Sequence, residues 1–166
     1  NWITPPDNAP KIRQNIYATL VYGAKGILWF TGQLLFDKQT GELNETGGQV
    51  AALNRELKLL GPELFRLRSV GVLHTDPVPE GSRKASPDHW VQPVGKDLVL
   101  GTFRDQQKRE YIMAANKSWQ FERKAILQFR LFLEEVSSVE LFDKHSGAWN
   151  PLPVFTVPDN RHHDTI

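Results

Sequence analysis

Cysteine is absent from the 166 residues, which excludes a disulfide framework, a cysteine zinc site and a thiol nucleophile. That absence leaves the compartment open, and a secreted or periplasmic bacterial setting is the expectation. Charge of one sign is also lacking. Twenty basic against nineteen acidic residues leave a formal net charge of +1, so no bulk field draws the chain to nucleic acid or to an anionic membrane. No apolar run approaches the roughly 20 residues that span a bilayer. The opening Asn1-Trp2-Ile3-Thr4-Pro5-Pro6 has no basic region followed by an apolar stretch, so it does not read as a signal peptide. It lacks an initiator methionine, which points to processing or to an excised segment. No glycine-rich phosphate loop follows a strand and no Gly-x-Ser-x-Gly elbow occurs, which disfavours nucleotide chemistry and serine hydrolysis. What remains, 40% hydrophobic and 23% charged residues, is the composition of a packed soluble domain.

Two periodicities divide the chain. Asp7 or Asn8 can cap a helix with Pro10 in its first turn, where a missing N–H costs nothing. Ile12, Ile16, Thr19 and Leu20 then recur at helical spacing, and Gly23 suits the position just past the helix end. Gly26 to Phe30 is a short run apolar on both faces, the pattern of a strand buried in a parallel sheet. A polar stretch with its tip at Asp37–Gly41 follows. Thr46 can cap a second helix striped by Val50, Leu53, Leu57 and Leu60 and stopped by Gly61-Pro62. After Arg68 the period becomes two. Strands are expected over 69–74, 97–103, 110–115, 121–133 and 139–142, with 104–109 as a hairpin connection and Asp143–Gly147 as a turn toward Trp149. In 121–133 the odd positions, among them Phe121, Leu127 and Phe129, are expected on the core face. The fold class expected is α+β, with a helix–strand–helix portion over 1–68 and an antiparallel β-sandwich over 69–166.

The run Ile16-Tyr17-Ala18-Thr19-Leu20-Val21-Tyr22-Gly23-Ala24-Lys25-Gly26-Ile27-Leu28-Trp29-Phe30-Thr31 resembles the last helix-to-strand step of (β/α)8 glycoside hydrolases. Within these it is most like β-galactosidase-like members of the clan that uses two glutamates. Leu53 to Pro62 looks like the closing helix of such a barrel, and the strands downstream look like the small β-sandwich that often follows it. The resemblance implies that the first 68 residues are the C-terminal remnant of a barrel. It also implies that the sandwich lacks a last strand, expected after the Val157–Asn160 turn. The family's acid/base and nucleophile glutamates sit on earlier strands, and no residue here matches either motif. The implied function is therefore the C-terminal portion of an enzyme acting on a poly- or oligosaccharide, itself without the catalytic pair, and with no cofactor or metal. Carbohydrate is its implied partner, with self-association or packing against the rest of a barrel. Nucleic acid and membrane are not expected partners.

In the resembling family an aromatic at the end of the last strand can floor the sugar site, which suits a flat indole against the C–H face of a pyranose. Trp29 is the candidate, with Thr31 and Gln33 of the same parity as possible hydrogen-bonding neighbours; packing of Trp29 between strand and helix is the rival reading. Glu42 and Glu45 lie in the loop after the strand, on the side where barrel sites are built. Glu134 and Glu135 are adjacent and diverge to opposite faces. His74 and Asp76, two apart, could share a strand face as metal ligands, though no third ligand is evident and a surface pair is the rival reading. His162-His163-Asp164 looks like a metal-binding tract, with a terminal tail as the rival reading. Lys117, Trp119, Arg123, Lys124 and Arg130 interleave cations and aromatics, though a solvated face fits the net charge better. Two other functions compete with the hydrolase reading. One is a carbohydrate-binding module that exposes Trp90, Trp119 or Trp149, and the other is an interaction domain with no carbohydrate role.

Overall fold

The computed structural model describes residues 9–30, 32–86, 89–121, 126–129 and 138–153. They form an α+β fold of two α-helices and antiparallel sheets. The helices are α1 (Ala9–Val21) and α2 (Glu45–Arg66), and the strands are β1 (Arg68–His74), β2 (Val91–Val94), β3 (Leu98–Arg104), β4 (Glu110–Asn116), β5 (Ile126–Phe129), β6 (Glu140–Asp143) and β7 (Ala148–Pro151). They pair as β1-β3-β4, β2-β5 and β6-β7.

α1 buries Ile12, Ile16, Leu20 and Val21, the stripe its sequence predicts, while Thr19 is exposed. It ends where Gly23, at a φ of 93°, donates its N–H to the Leu20 carbonyl, a conformation that glycine adopts without strain. α2 departs from expectation at both ends. Its cap is Asn44 rather than Thr46, with the Asn44 side chain accepting from the Gly47 N–H. It also continues through Pro62 to Arg66. A proline inside a helix costs about 3 kcal/mol, but the apolar stripe resumes beyond it at Leu64, which is buried with Val50 and Leu53. Burying a leucine contributes about 1.5–3 kcal/mol, enough to offset much of that cost.

β3 is the centre of the molecule and is buried along all but its last residue. Its odd residues face the helices, where Phe103 joins Ile12, Ile16, Leu20, Val50, Leu53, Leu64 and Leu67 in one cluster. Val99 packs with Val21 and Ala115. Its even residues Leu98 and Leu100 meet Leu73 and Val91, with Leu127 of β5 against them. The three-stranded sheet thus lies between α1 on one face and the β2–β5 pair on the other. Gly101 allows this closeness, since a Cβ there would lie 2.2 Å from the Val21 carbonyl oxygen. The element change falls at Leu67, where the periodicity changes, yet the hydrophobic core runs across that point.

Three expectations meet a different local structure. The strand expected over Gly26–Phe30 is not formed, since residues 24–29 have no helix, strand or turn. A strand needs neighbours, and no backbone hydrogen bond to Ile27, Leu28 or Trp29 exists among the described residues. Val70 is 54% exposed because β1 shifts register between Ser69 and Gly71, a bulge that breaks the strict alternation. Phe121 is exposed at 59% and precedes β5. The long strand expected over 121–133 is described only as Ile126–Phe129, so most of its register lies outside the described residues.

Candidate functional site

The motif that carries the family resemblance crosses from the end of α1 to the side of α2 and walls one flank of a cleft. The cleft holds about 290 Å3, with Leu20, Ile27, Trp29, Leu57 and Leu64 among its lining and Asn54 and Lys58 on the α2 side. Lys25 fixes the segment to α2 by donating to the carbonyls of Leu64 at 2.6 Å and Leu67 at 2.5 Å. A cation is favoured there, because the last carbonyls of a helix lack intrahelical donors and carry its negative end. Desolvation lowers the Lys25 pKa below its usual value.

Trp29 is half-buried, and its indole N–H donates to Asn54 Oδ1 at 3.1 Å. The ring packs with Ile27 against the cluster that joins the two helices. The alternate residues turn the other way, Leu28 being 90% and Phe30 74% exposed. Gln33 belongs to the 3-10 helix Gly32–Leu35, while Thr31 lies outside the described residues.

A second polar centre joins α1 to α2 and gave no signal in the sequence. Glu56 is buried on α2 and receives both Arg13 guanidinium N–H groups, at 2.6 and 2.7 Å, and the Tyr17 hydroxyl at 2.7 Å. Lys144, from the β6–β7 turn, stands 3.5 Å from the same carboxylate. The hydrogen bond from Arg13, more than any other contact, holds the Glu56 carboxyl well down, at about 2. Burial, then the bond to Glu56, pushes the Tyr17 hydroxyl up. Such a carboxylate is fully committed to its donors and cannot take a proton near neutral pH, so it ties helices and hairpin together rather than acting as an acid or base. Arg13 and Tyr17 share one face of α1, but their partner is 43 residues beyond Arg13, beyond the reach of local periodicity.

The remaining candidates are dispersed. Glu42 and Glu45 are both exposed, and Glu45 accepts from Gln49 on its own helix. His74 and Asp76 do not act together. His74 is buried, its Nε2 lying 2.8 Å from the Tyr22 hydroxyl, while Asp76 is exposed and paired with Lys84. His74 Nδ1 is buried without a hydrogen-bond partner among the described residues. Among the described residues no group of three or more His, Cys, Asp or Glu could hold a metal ion. Lys117 points inward, donating to the carbonyls of Thr75 and Pro77, so it is not part of a cationic platform. The tryptophans proposed for sugar binding have separate surroundings. Trp90 stacks on His89 beside the β2–β5 core. Trp149 donates to Glu63 and packs edge-on to Tyr111 and Phe142. Trp119 is 41% exposed. Glu134, Glu135, Arg123, Lys124, Arg130 and the His162-His163-Asp164 tract lie outside the described residues.

No protein-family model, curated protein or solved structure matches this chain.

Proposed function

We propose that the chain is the C-terminal portion of a glycoside hydrolase acting on a poly- or oligosaccharide, without the catalytic carboxylate pair. In this reading α1, the 24–30 segment and α2 are the last helix–strand–helix unit of a (β/α)8 barrel, and the downstream sheets are its attached β-sandwich. One observation carries the proposal. The segment of family-like sequence runs between two helices with no backbone bond at Ile27, Leu28 or Trp29 among the described residues, and it leaves Leu28 and Phe30 exposed. A strand inserted between two parallel neighbours has these needs, with both backbone edges and one apolar face to satisfy. The shared core of the β1-β3-β4 and β2-β5 sheets supports the sandwich part. The carbohydrate-module alternative draws less support, because Trp90 and Trp149 are engaged in different packing.

The test is a panel of p-nitrophenyl glycosides, led by the β-galactoside. The full protein encoded by the gene should hydrolyse a member of the panel, while this chain alone should show no turnover. Two results would refute the proposal: a full protein inactive on the whole panel, or turnover by this chain alone that disappears in Glu42→Gln or Glu45→Gln.

A further inference from the structure

The cleft between the 24–30 segment and α2 has a charge pattern that the hydrolase reading does not use. Its walls are largely apolar, with Ile27, Trp29 and Leu57 among them, and its polar side chains are Lys25, Asn54 and Lys58. No carboxylate is among its lining residues. The two lysines are not equivalent. Lys25 donates to the Leu64 and Leu67 carbonyls, so its charge answers the negative end of α2. Lys58 is exposed, and the residues three and four positions from it are Asn54, Arg55, Gly61 and Pro62. None is acidic, so no neighbour along the helix neutralises it. Asn54, one turn before Lys58, accepts the Trp29 indole N–H at 3.1 Å through its Oδ1. That bond orients the amide and leaves its N–H groups as donors.

We infer that this cleft binds a small aromatic carboxylate, with Lys58 as counter-ion, the Asn54 amide as hydrogen-bond donor and the Trp29 ring as apolar wall. Three features set the ligand class. The volume, about 290 Å3, lies at the bottom of the roughly 300–1,000 Å3 range of ligand pockets. It suits one ring with a short acidic arm. Cations without an anion select a carboxylate, because a charge-assisted hydrogen bond is about twice as strong as a neutral one. The Trp29 ring, tied to Asn54 and packed against the helix cluster, offers a fixed stacking surface that need not reorganise when a ring arrives. A sugar fits this lining poorly. Its hydroxyls need acceptors as well as donors, and the Asn54 oxygen is already engaged by Trp29. The inference does not depend on the hydrolase reading.

Phenylacetate is the probe, and saturation-transfer NMR on the full chain at micromolar concentration reads its binding. The signal is that of the free ligand, so association of the chain does not obscure it. Phenylacetate should bind saturably. 2-Phenylethanol, which keeps the ring but carries no charge, should bind at least about tenfold more weakly. Lys58→Gln should weaken phenylacetate by about tenfold, and Lys58→Arg should return it to within about threefold of the wild type. Lys38→Gln removes an exposed charge from the Asp37–Gly41 turn, outside the cleft, and should leave binding unchanged. Both lysines are exposed, so melting curves should match the wild type and separate loss of binding from loss of folding. No saturable binding of phenylacetate overturns the inference. So does equal binding of 2-phenylethanol, a loss no greater in Lys58→Gln than in Lys38→Gln, or displacement of phenylacetate by galactose. The hydrolase reading is judged separately, on turnover of glycosides.

Discussion

Glu56 and His74 are both buried titratable side chains, and their surroundings bias them in opposite ways. Glu56 is held ionised by Arg13 and Tyr17, with Lys144 close by, so its pKa falls from 4.5 to about 2. His74 is held neutral. Desolvation and then the Lys117 charge lower its pKa from 6.5. Protonation would put N–H groups on both ring nitrogens, and among the described residues only Nε2 has a partner, the Tyr22 hydroxyl. In both cases the unfolded chain binds protons more readily than the folded one, so stability is full above the unfolded pKa and falls as the solution is acidified. The windows differ: His74 acts as pH drops below 6.5, and Glu56 as it drops from 4.5 through about 2. Urea midpoints at pH 8, 5.5 and 3 should therefore decline in two steps. His74→Phe should remove most of the first step. Glu56→Gln should flatten the second and cost about 1.5–3 kcal/mol at neutral pH, the scale of a hydrogen bond to a charged group. Midpoints that do not vary with pH in the wild type would mean that neither group is held as described.

At the scale of elements, the contact between α1 and β3 sets the tolerance of the fold. Gly101 lets the end of α1 rest on the sheet, and a methyl group there would meet the Val21 carbonyl and the Phe103 ring at 2.2 and 2.7 Å. Backbone cannot rotate out of the way as a side-chain end can. Gly101→Ala should therefore lose about 1–3 kcal/mol, as over-packed cores do. Gly48, on α2, has nothing within 4 Å of a would-be Cβ, and Gly48→Ala should gain up to about 1 kcal/mol from helix propensity. Opposite signs for the two alanines in chemical denaturation are the expected outcome; equal effects would mean that α1 does not sit this closely on β3. Gly101 also marks a limit of reading from sequence. Nothing near it separates a glycine under a helix from one in an open strand, because the obstructing atom belongs to Val21, 80 positions away.

At the scale of the whole molecule, the described surface leaves large apolar side chains uncovered, with Leu28 at 90%, Phe30 at 74% and Phe65 at 76% exposure. Leu28 lies on a stretch with no backbone hydrogen bond at Ile27, Leu28 or Trp29 among the described residues, a combination that favours pairing with another chain. The isolated chain should associate at micromolar concentration, and Leu28→Glu with Phe30→Glu should shift it toward monomer in light scattering. A monodisperse wild-type monomer whose amides at 27–29 exchange freely would refute this.

Local pattern determined much of the architecture. The stripe Ile12, Ile16 and Leu20, the break at Gly23, the Asp37–Gly41 turn, the β3–β4 hairpin and the β6–β7 turn follow from periodicity and turn residues, which act within a few positions. Tertiary structure decided the rest. α2 runs past Gly61-Pro62 because Leu64 has a core to enter, and Gly26–Phe30 forms no strand because pairing requires neighbours. Glu56 becomes a buried anchor only when Arg13, Tyr17 and Lys144 converge on it from α1 and the β6–β7 turn. Most telling is the 27–30 segment. Its apolar residues are plain in the sequence, but a run apolar on both faces does not reveal which face is inward. Only the packing of Ile27 and Trp29 against the helices assigns the faces, since a side chain's direction is set by what it can bury against.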